Sequence, residues 1–270
     1  MPRAATATSA GILLAIAAFL TVLGVGDAAG ALPDWQAFVL GVVQGFTELL
    51  PISSSGHLIL VPWLGDWTYL EQHDQFNQTF DVALHLGTLV AVVVYFRRDI
   101  AALAVAFFGS LARRRIRTAD ERVAWIVLVA TIPAAIAGAV GESFIADHLG
   151  EPWQIAILLA VFAGVLWVAD RSPTTRVASD LGLWSAFGIG CAQALALMPG
   201  VSRSGVTISA ARFLGLTRDE AARLSFLLLA PIVLGAVLLK GMTDVVFGTL
   251  PDGWEGPFLV GTLAAAGSGL

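Results

Sequence analysis

Three residues in a very apolar chain are placed to do chemistry: Glu48, His57 and Arg203. Glu48 and His57 lie in the run Gln44 to Leu58, QGFTELLPISSSGHL, and Arg203 lies in Pro199 to Thr207, PGVSRSGVT. A carboxylate, an imidazole and a guanidinium are costly to remove from water, so in apolar sequence they mark a functional site. The first two can transfer protons, or one of them can attack as a nucleophile. Glu48 can also serve as a metal ligand. A guanidinium presents a planar fork that suits phosphate oxygens. Gln44, four residues before Glu48, shares its helical face.

Each stretch also carries helix breakers followed by hydroxyls. Pro51 precedes Ser53, Ser54, Ser55 and Gly56, while Pro199 and Gly200 precede Ser202, Ser204, Gly205 and Thr207. This pattern predicts a helix that stops and a new helix that starts. Ser53 or Ser54 caps the first restart, and Ser202 or Ser204 the second. A restarting helix presents free N–H groups and the positive end of its dipole, and glycine lets backbone approach a ligand closely. Two such ends facing one another make an anion site.

The elements that position these residues are written in the composition. Of 270 residues 57% are hydrophobic and 13% charged, with a mean hydropathy of +0.81. Soluble domains carry about 25% charged residues. Apolar blocks at 79–96, 123–140, 154–169 and 224–239 read as membrane spans. An N-terminal block at 11–26 reads as a further membrane helix or a signal-like extension over 1–31. Residues 100–112 are expected along the inner face. Residues 258–270 are too short to cross. Residues 32–270 form a single membrane domain. Trp35, Trp63, Trp153 and Trp184 sit at block ends, as interfacial anchors do. The single Cys191 excludes an internal disulfide and a cysteine metal cluster. Nothing in the charge pattern calls for a nucleic-acid partner.

Basic residues set the orientation. Thirteen of the fifteen Lys and Arg can share one side, the cytoplasmic one by the positive-inside rule. The loops 65–78, 141–153 and 240–256 are acidic and belong outside. Both flanks of 37–64 then lie outside, and both flanks of 181–214 lie inside. Each broken segment is therefore expected to dip in and return as a re-entrant helix-loop-helix hairpin, buried in protein or lining a wet cavity. Shifting the first segment by 149 residues matches eight of 22 positions, including Trp35 with Trp184, Gln44 with Gln193 and Ser53 with Ser202. An odd number of crossings separates the copies. The expected fold is thus an all-α polytopic membrane protein with an inverted-topology repeat and a site near the midplane.

Plainer roles exist for the same residues. Glu48 could be a structural carboxylate, His57 a satisfied helix histidine, Arg203 a ligand of helix-end carbonyls, and Gln193 a packing residue. A tip serine could be the nucleophile. Asp81 and His85, four apart on one helix, form a pair of uncertain role. The plan also suits a transporter, either a polyprenyl-phosphate flippase or an anion carrier.

QGFTELLPISSSGHL and PGVSRSGVTIS together resemble the paired signatures of the bacterial undecaprenyl-pyrophosphate phosphatases of the bacitracin-resistance type. The likeness runs from about Trp35 to Lys240 and includes TFDVALHLGTLVAVVVYFRRD and LSFLLLAPIVLGA. It implies a multi-pass plasma-membrane hydrolase with interlocked inverted repeats. Such an enzyme removes the terminal phosphate of undecaprenyl pyrophosphate at the extracytoplasmic face and returns the carrier lipid to peptidoglycan synthesis. By position the resemblance makes Glu48, Ser54 and His57 active-site residues and Arg203 the phosphate-binding arginine. It implies a divalent cation, Mg²⁺ or Ca²⁺, and leaves room for a homodimer. The family's first motif position is Glu or Gln; Gln44 here puts more of the work on Glu48. Family members carry further membrane helix after position 270, so the chain is expected to stop partway through a span.

Overall fold

The structure, a computed structural model, describes residues 32–247, 250 and 252–270. The expected helix at 11–26 lies outside the described residues. Regular structure among those described is helical, with one isolated bridge between Arg176 and Leu216. The α-helices are α1 Asp34–Leu49, α2 Ser54–Leu64, α3 Tyr69–Gln72, α4 Asp74–Tyr95, α5 Arg97–Arg113, α6 Ala119–His148, α7 Pro152–Ala169, α8 Leu183–Ala194, α9 Arg203–Phe213, α10 Arg218–Lys240 and α11 Glu255–Gly269. A π-helical turn, Gly241–Val246, continues α10.

Four helical stretches are long and apolar enough to cross a membrane: Gln75–Tyr95, Ala119–Gly141, Pro152–Ala169 and Arg218–Asp244. They fall on the four expected spans. Their outward residues are apolar, among them Val93, Ile136, Val161 and Leu238. Only 11% of the α7 span is buried, although it is apolar all round. A helix of that kind is covered by lipid rather than by water. Trp35, Trp63, Trp153 and Trp184 all stand exposed, as anchors must. One boundary differs from the sequence reading. The helix α6 continues to His148, into the expected loop at 141–153, because residues 142–148 contain no proline or glycine to stop it. The segment 258–270, expected to be too short to cross, lies in the 15-residue helix α11, with Phe258, Val260, Ala264 and Ala265 buried.

The chain divides into two compact units. The first holds the described part of Met1–Leu49 with His57–Tyr95 and Val233–Leu270. Its apolar centre gathers Leu40, Leu84 and the rings of Phe76, Phe80 and Phe258, whose centroids lie 5.4 to 5.8 Å apart. In this unit α11 packs on both α1 and α4 with almost no side chain between. A Cβ on Gly41 would lie 2.3 Å from the Gly261 carbonyl oxygen, and one on Gly87 would lie 2.3 Å from that of Thr262. Small residues are what allow membrane helices to approach so closely.

The second unit holds Leu50–Gly56 and Phe96–Ile232. Here α6 packs on α8, with Gly190 against the Ala130 carbonyl and the Pro133 ring. Helix α5 is tied to α6 by the Arg113–Glu121 ion pair and by Trp125, whose Nε1 donates to Ser110 Oγ at 2.9 Å. The link from α7 to α8 is clamped by two arginines. The buried Arg212 donates to the carbonyls of Asp170 and Leu216, and Arg218 grips the Asp170 carboxylate with two bonds of 2.6 Å.

Two outcomes follow from this packing. Gly87→Ala is expected to cost about 1–3 kcal/mol through overpacking, whereas Gly164→Ala, with nothing near its added Cβ, should be neutral. Thermal unfolding in detergent checks this, and equal midpoints for the two variants would contradict the close approach. Hydrogen bonding from Arg218 holds the Asp170 carboxyl below its ordinary range. The exposed pair therefore adds modest stability above the unfolded aspartate value of about 3.9, and that stability is lost as pH falls towards the depressed folded value. Asp170→Asn should lower the unfolding midpoint at neutral pH and lose that deficit in acid; a deficit that persists unchanged in acid would exclude the linkage.

Candidate active site

The two broken helices restart in the same way. Helix α1 ends at Leu49, the chain turns through Pro51, and α2 begins at Ser54; α8 ends at Ala194, a short turn and Pro199-Gly200 follow, and α9 begins at Arg203. Both restarted helices are 11 residues long, and their bounds coincide under the same 149-residue shift. The caps correspond as well. Ser53 Oγ accepts from Gly56 N–H at 3.4 Å, and Ser202 Oγ accepts from Gly205 N–H at 3.1 Å. Ser53 also lies 3.4 Å from the Ser55 hydroxyl, and Ser202 lies 3.1 Å from that of Ser204. Of the alternatives open in the sequence, Ser53 and Ser202 are thus the caps. They differ in backbone: Ser53 has φ 67° in the left-handed region, whereas Ser202 is extended at φ −71°.

The two tips meet within the second unit. Ser204 donates to the Leu50 carbonyl at 3.1 Å. Gly56 and Gly205 lie at this meeting point: a Cβ on Gly56 would stand 3.4 Å from Gly200 Cα, and one on Gly205 would stand 3.4 Å from the Pro51 carbonyl oxygen. Ser53, Ser54, Ser202, Ser204 and Thr207 are buried, and Arg203 is half-buried in the first turn of α9. Its Nη1 donates to the Ser225 carbonyl on α10 at 2.8 Å. Thr207 bonds the Arg203 carbonyl and lies 2.8 Å from Ser225 Oγ, so it supports the arginine's surroundings. Ser54, Ser55 and Gly56 form the first turn of α2, with the half-buried His57 next. Both restarts place the positive end of a helix dipole at this tip.

The first unit holds the carboxylate. Glu48 and Gln44 lie one turn apart near the end of α1, with Glu48 5% and Gln44 0% exposed. The C-terminal end of a helix carries negative partial charge and disfavours an anion. Donors must offset both that charge and the burial. Gln44 Nε2 donates to Glu48 Oε2 at 3.3 Å, and His85 Nε2 lies 3.4 Å from the same oxygen. His85 Nδ1 lies 2.7 Å from the Asp81 carbonyl oxygen. A carbonyl only accepts, so Nδ1 carries a hydrogen. The Asp81–His85 pair noted in sequence is therefore held through the main chain of Asp81. The partner of the other ring nitrogen, Glu48, comes from a different helix, and this contact escaped the sequence reading. Its only local signal was a histidine on an apolar face. Gln193, the repeat mate of Gln44, packs by donating to the Ala130 carbonyl.

Among the described residues no group of three or more His, Cys, Asp or Glu could hold a metal ion by itself. The buried Gln44 Oε1 has no hydrogen-bond partner and lies in the same side chain as the donor to Glu48. One carboxylate and one amide oxygen suit a cation that takes its remaining ligands from water and substrate phosphate, as Mg²⁺ commonly does.

Four membrane-length helices and two interrupted helices joined at a tip of serines and glycines define a multi-pass helical membrane protein with a buried polar site. The family model described as "Bacitracin resistance protein BacA" matches residues 37–270, and the chain belongs to that family. It is 50% identical over 208 residues to the undecaprenyl-diphosphatase of Rubrobacter xylanophilus, covering 76% of this chain and 75% of that one. It is 48% identical over 236 residues to the undecaprenyl-diphosphatase of Geobacter sulfurreducens, covering 87% and 85%. With the undecaprenyl-diphosphatase of Thermomicrobium roseum it shares 46% over 244 residues, again 87% and 85%.

The unlike backbones of the two caps make a test. Replacing either serine by alanine removes a cap at about 1 kcal/mol. At Ser53 alanine also bears the left-handed strain of about 1–2 kcal/mol that glycine avoids. Chemical unfolding should therefore separate Ser53→Ala from Ser53→Gly more widely than Ser202→Ala from Ser202→Gly; equal gaps would contradict the φ of Ser53.

Proposed function

We infer that this chain is an undecaprenyl-diphosphate phosphatase, a membrane hydrolase that converts undecaprenyl diphosphate and water into undecaprenyl phosphate and inorganic phosphate. The reading rests on one observation above the others: the two capped helix starts meet, with Arg203 in one of them, in a chain whose relatives bear that enzymatic name. In the reaction the bond between the terminal phosphorus and the bridging oxygen breaks, and the terminal phosphorus gains an oxygen from water. The diphosphate is held by Arg203, by Ser53, Ser54, Ser55, Ser202 and Ser204, and by backbone at Gly56 and Gly205, with Thr207 behind the arginine. Two helix dipoles and a guanidinium then stabilise charge on the transferring phosphoryl group, which is the main catalytic need of phosphoryl transfer. Glu48 and His57 carry the proton transfer or the attack; a tip serine as nucleophile would fit the same frame. When bound, a divalent cation neutralises phosphate charge. Glu48 and Gln44 Oε1 are the residues here that would hold it.

The finer architecture belongs to the same proposal. Each interrupted helix is a re-entrant hairpin, about 37–64 and 181–214, and the two form an inverted repeat. The matched bounds and caps support this, as does the packing of each first half-helix on another helix through glycine, α1 on α11 and α8 on α6. Residues 32–270 act as one phosphatase domain, since the family match spans residues of both units. The arginines of 97–122 face the cytoplasm, and the site opens on the extracytoplasmic side of the plasma membrane, where it returns the carrier lipid to cell-wall synthesis. The hydrolase name of the three relatives favours catalysis over a carrier role.

Purified protein in detergent is expected to release phosphate from undecaprenyl or farnesyl diphosphate and to lose that activity with EDTA. Glu48→Gln and Arg203→Ala should each lose at least about a hundredfold in rate, roughly 2.7 kcal/mol of barrier. A folded wild type that releases no phosphate with any divalent cation would overturn the hydrolase reading.

A further inference from the structure

The contact that no local sequence pattern announced is the one between α4 and the carboxylate. We propose that His85 is a positioning residue for Glu48: it fixes the direction of the carboxylate from a neighbouring helix so that Glu48 meets the diphosphate in one geometry. The proposal rests on the reading of Glu48 as a catalytic group.

Three observations carry it. First, His85 Nε2 at 3.4 Å and Gln44 Nε2 at 3.3 Å converge on the same atom, Glu48 Oε2. One contact comes from the glutamate's own helix and the other from across the interface. Together they restrain the buried carboxylate from two sides. Second, the imidazole is itself anchored. Its Nδ1–H donates to the Asp81 carbonyl at 2.7 Å, so the ring plane and the direction of Nε2 are set by the backbone of α4. A ring nitrogen tied to a main-chain carbonyl is the usual way in which a histidine is aimed at a functional atom.

Third, the spacing between the two helices is set beside this contact. Gly45 follows Gln44 on α1, and Gly87 lies two residues after His85 on α4. A Cβ on Gly45 would lie 2.7 Å from the Ala265 carbonyl oxygen, and one on Gly87 would lie 2.8 Å from the Ala265 Cβ. Both helices thus rest on the same residue of α11. The distance that His85 must bridge is therefore held by rigid packing of small residues. A side chain that only filled space would not need a fixed ring direction, an anchored nitrogen and a carboxylate aimed back at it.

The experiment measures kcat and KM for farnesyl diphosphate with wild type and with His85→Leu, His85→Gln, His85→Asn, Glu48→Gln, Glu48→Asp and Glu48→Asp/His85→Leu. Thermal midpoints in detergent accompany each variant. Misplacing a reacting group by about 1 Å can cost about a hundredfold, so His85→Leu is expected to lose about tenfold to a hundredfold in kcat with KM within about threefold. His85→Gln, whose amide N–H can reach the carboxylate, should recover to within about threefold of wild type, and the shorter His85→Asn should not. Glutamate shortened to aspartate has already left the contact, so His85→Leu should cost little more on the Glu48→Asp background.

Glu48→Gln with wild-type activity would sink the catalytic reading of Glu48, and this proposal with it. Loss of activity in Glu48→Gln together with full kcat in His85→Leu would sink the positioning role alone. So would equal losses in His85→Gln and His85→Asn, or fully multiplicative effects in the double variant. Should His85→Leu fail to fold, the contrast between the glutamine and asparagine variants still decides the matter, since both are polar and only one reaches.

Discussion

A helix that stops inside an apolar chain leaves backbone N–H and C=O groups that lipid cannot satisfy. Much of this structure follows from that constraint. The two interruptions occur at prolines, and each is repaired by a serine one residue before the new helix. The repairs are also coupled, because the Ser204 hydroxyl satisfies the Leu50 carbonyl at the end of the other interrupted helix. The groups that close the backbone account are the ones that build the tip. Gly56 and Gly205 stand where the two tips come into contact, and the dipoles of α2 and α9 are a consequence of starting helices there.

The carboxylate poses the opposite problem. Glu48 sits at the end of a helix where the dipole opposes its charge, and it is nearly buried. It is tolerated because Gln44 supplies a donor and His85 Nε2 lies against the same oxygen, and His85 can reach it because α11 brings α1 and α4 together over glycine and alanine. A stretch of fifteen residues poor in side-chain bulk thus has a defined task. It is the spacer that sets how far apart the helices bearing Glu48 and His85 stand.

The all-helical, membrane-length pattern was legible in the sequence. Apolar length marked the four spans, since crossing a membrane demands about twenty residues without charge. Proline, serine and glycine marked where the two interruptions fall, since few other side chains end and restart a helix; the caps themselves, and the end of α8 at Ala194 ahead of Pro199, were not fixed by that pattern. The site's tip residues were legible for the same reason, as was Arg203. Less legible were features that depend on absence. The extension of α6 to His148 and the full packing of α11 leave only weak local traces, because small residues signal neither core nor surface until a partner is in place.

What the sequence by itself determined is which segments are interrupted and which few hydroxyls are available to cap their restarts. Covalent order and local stereochemistry control those choices. What only the tertiary structure decided is which partner each group receives: Leu50 for Ser204, Ser225 for Arg203, and His85 for Glu48. Such pairings depend on helix spacing over a few ångströms, and that spacing is set by the fit of glycine and alanine faces between helices distant along the chain.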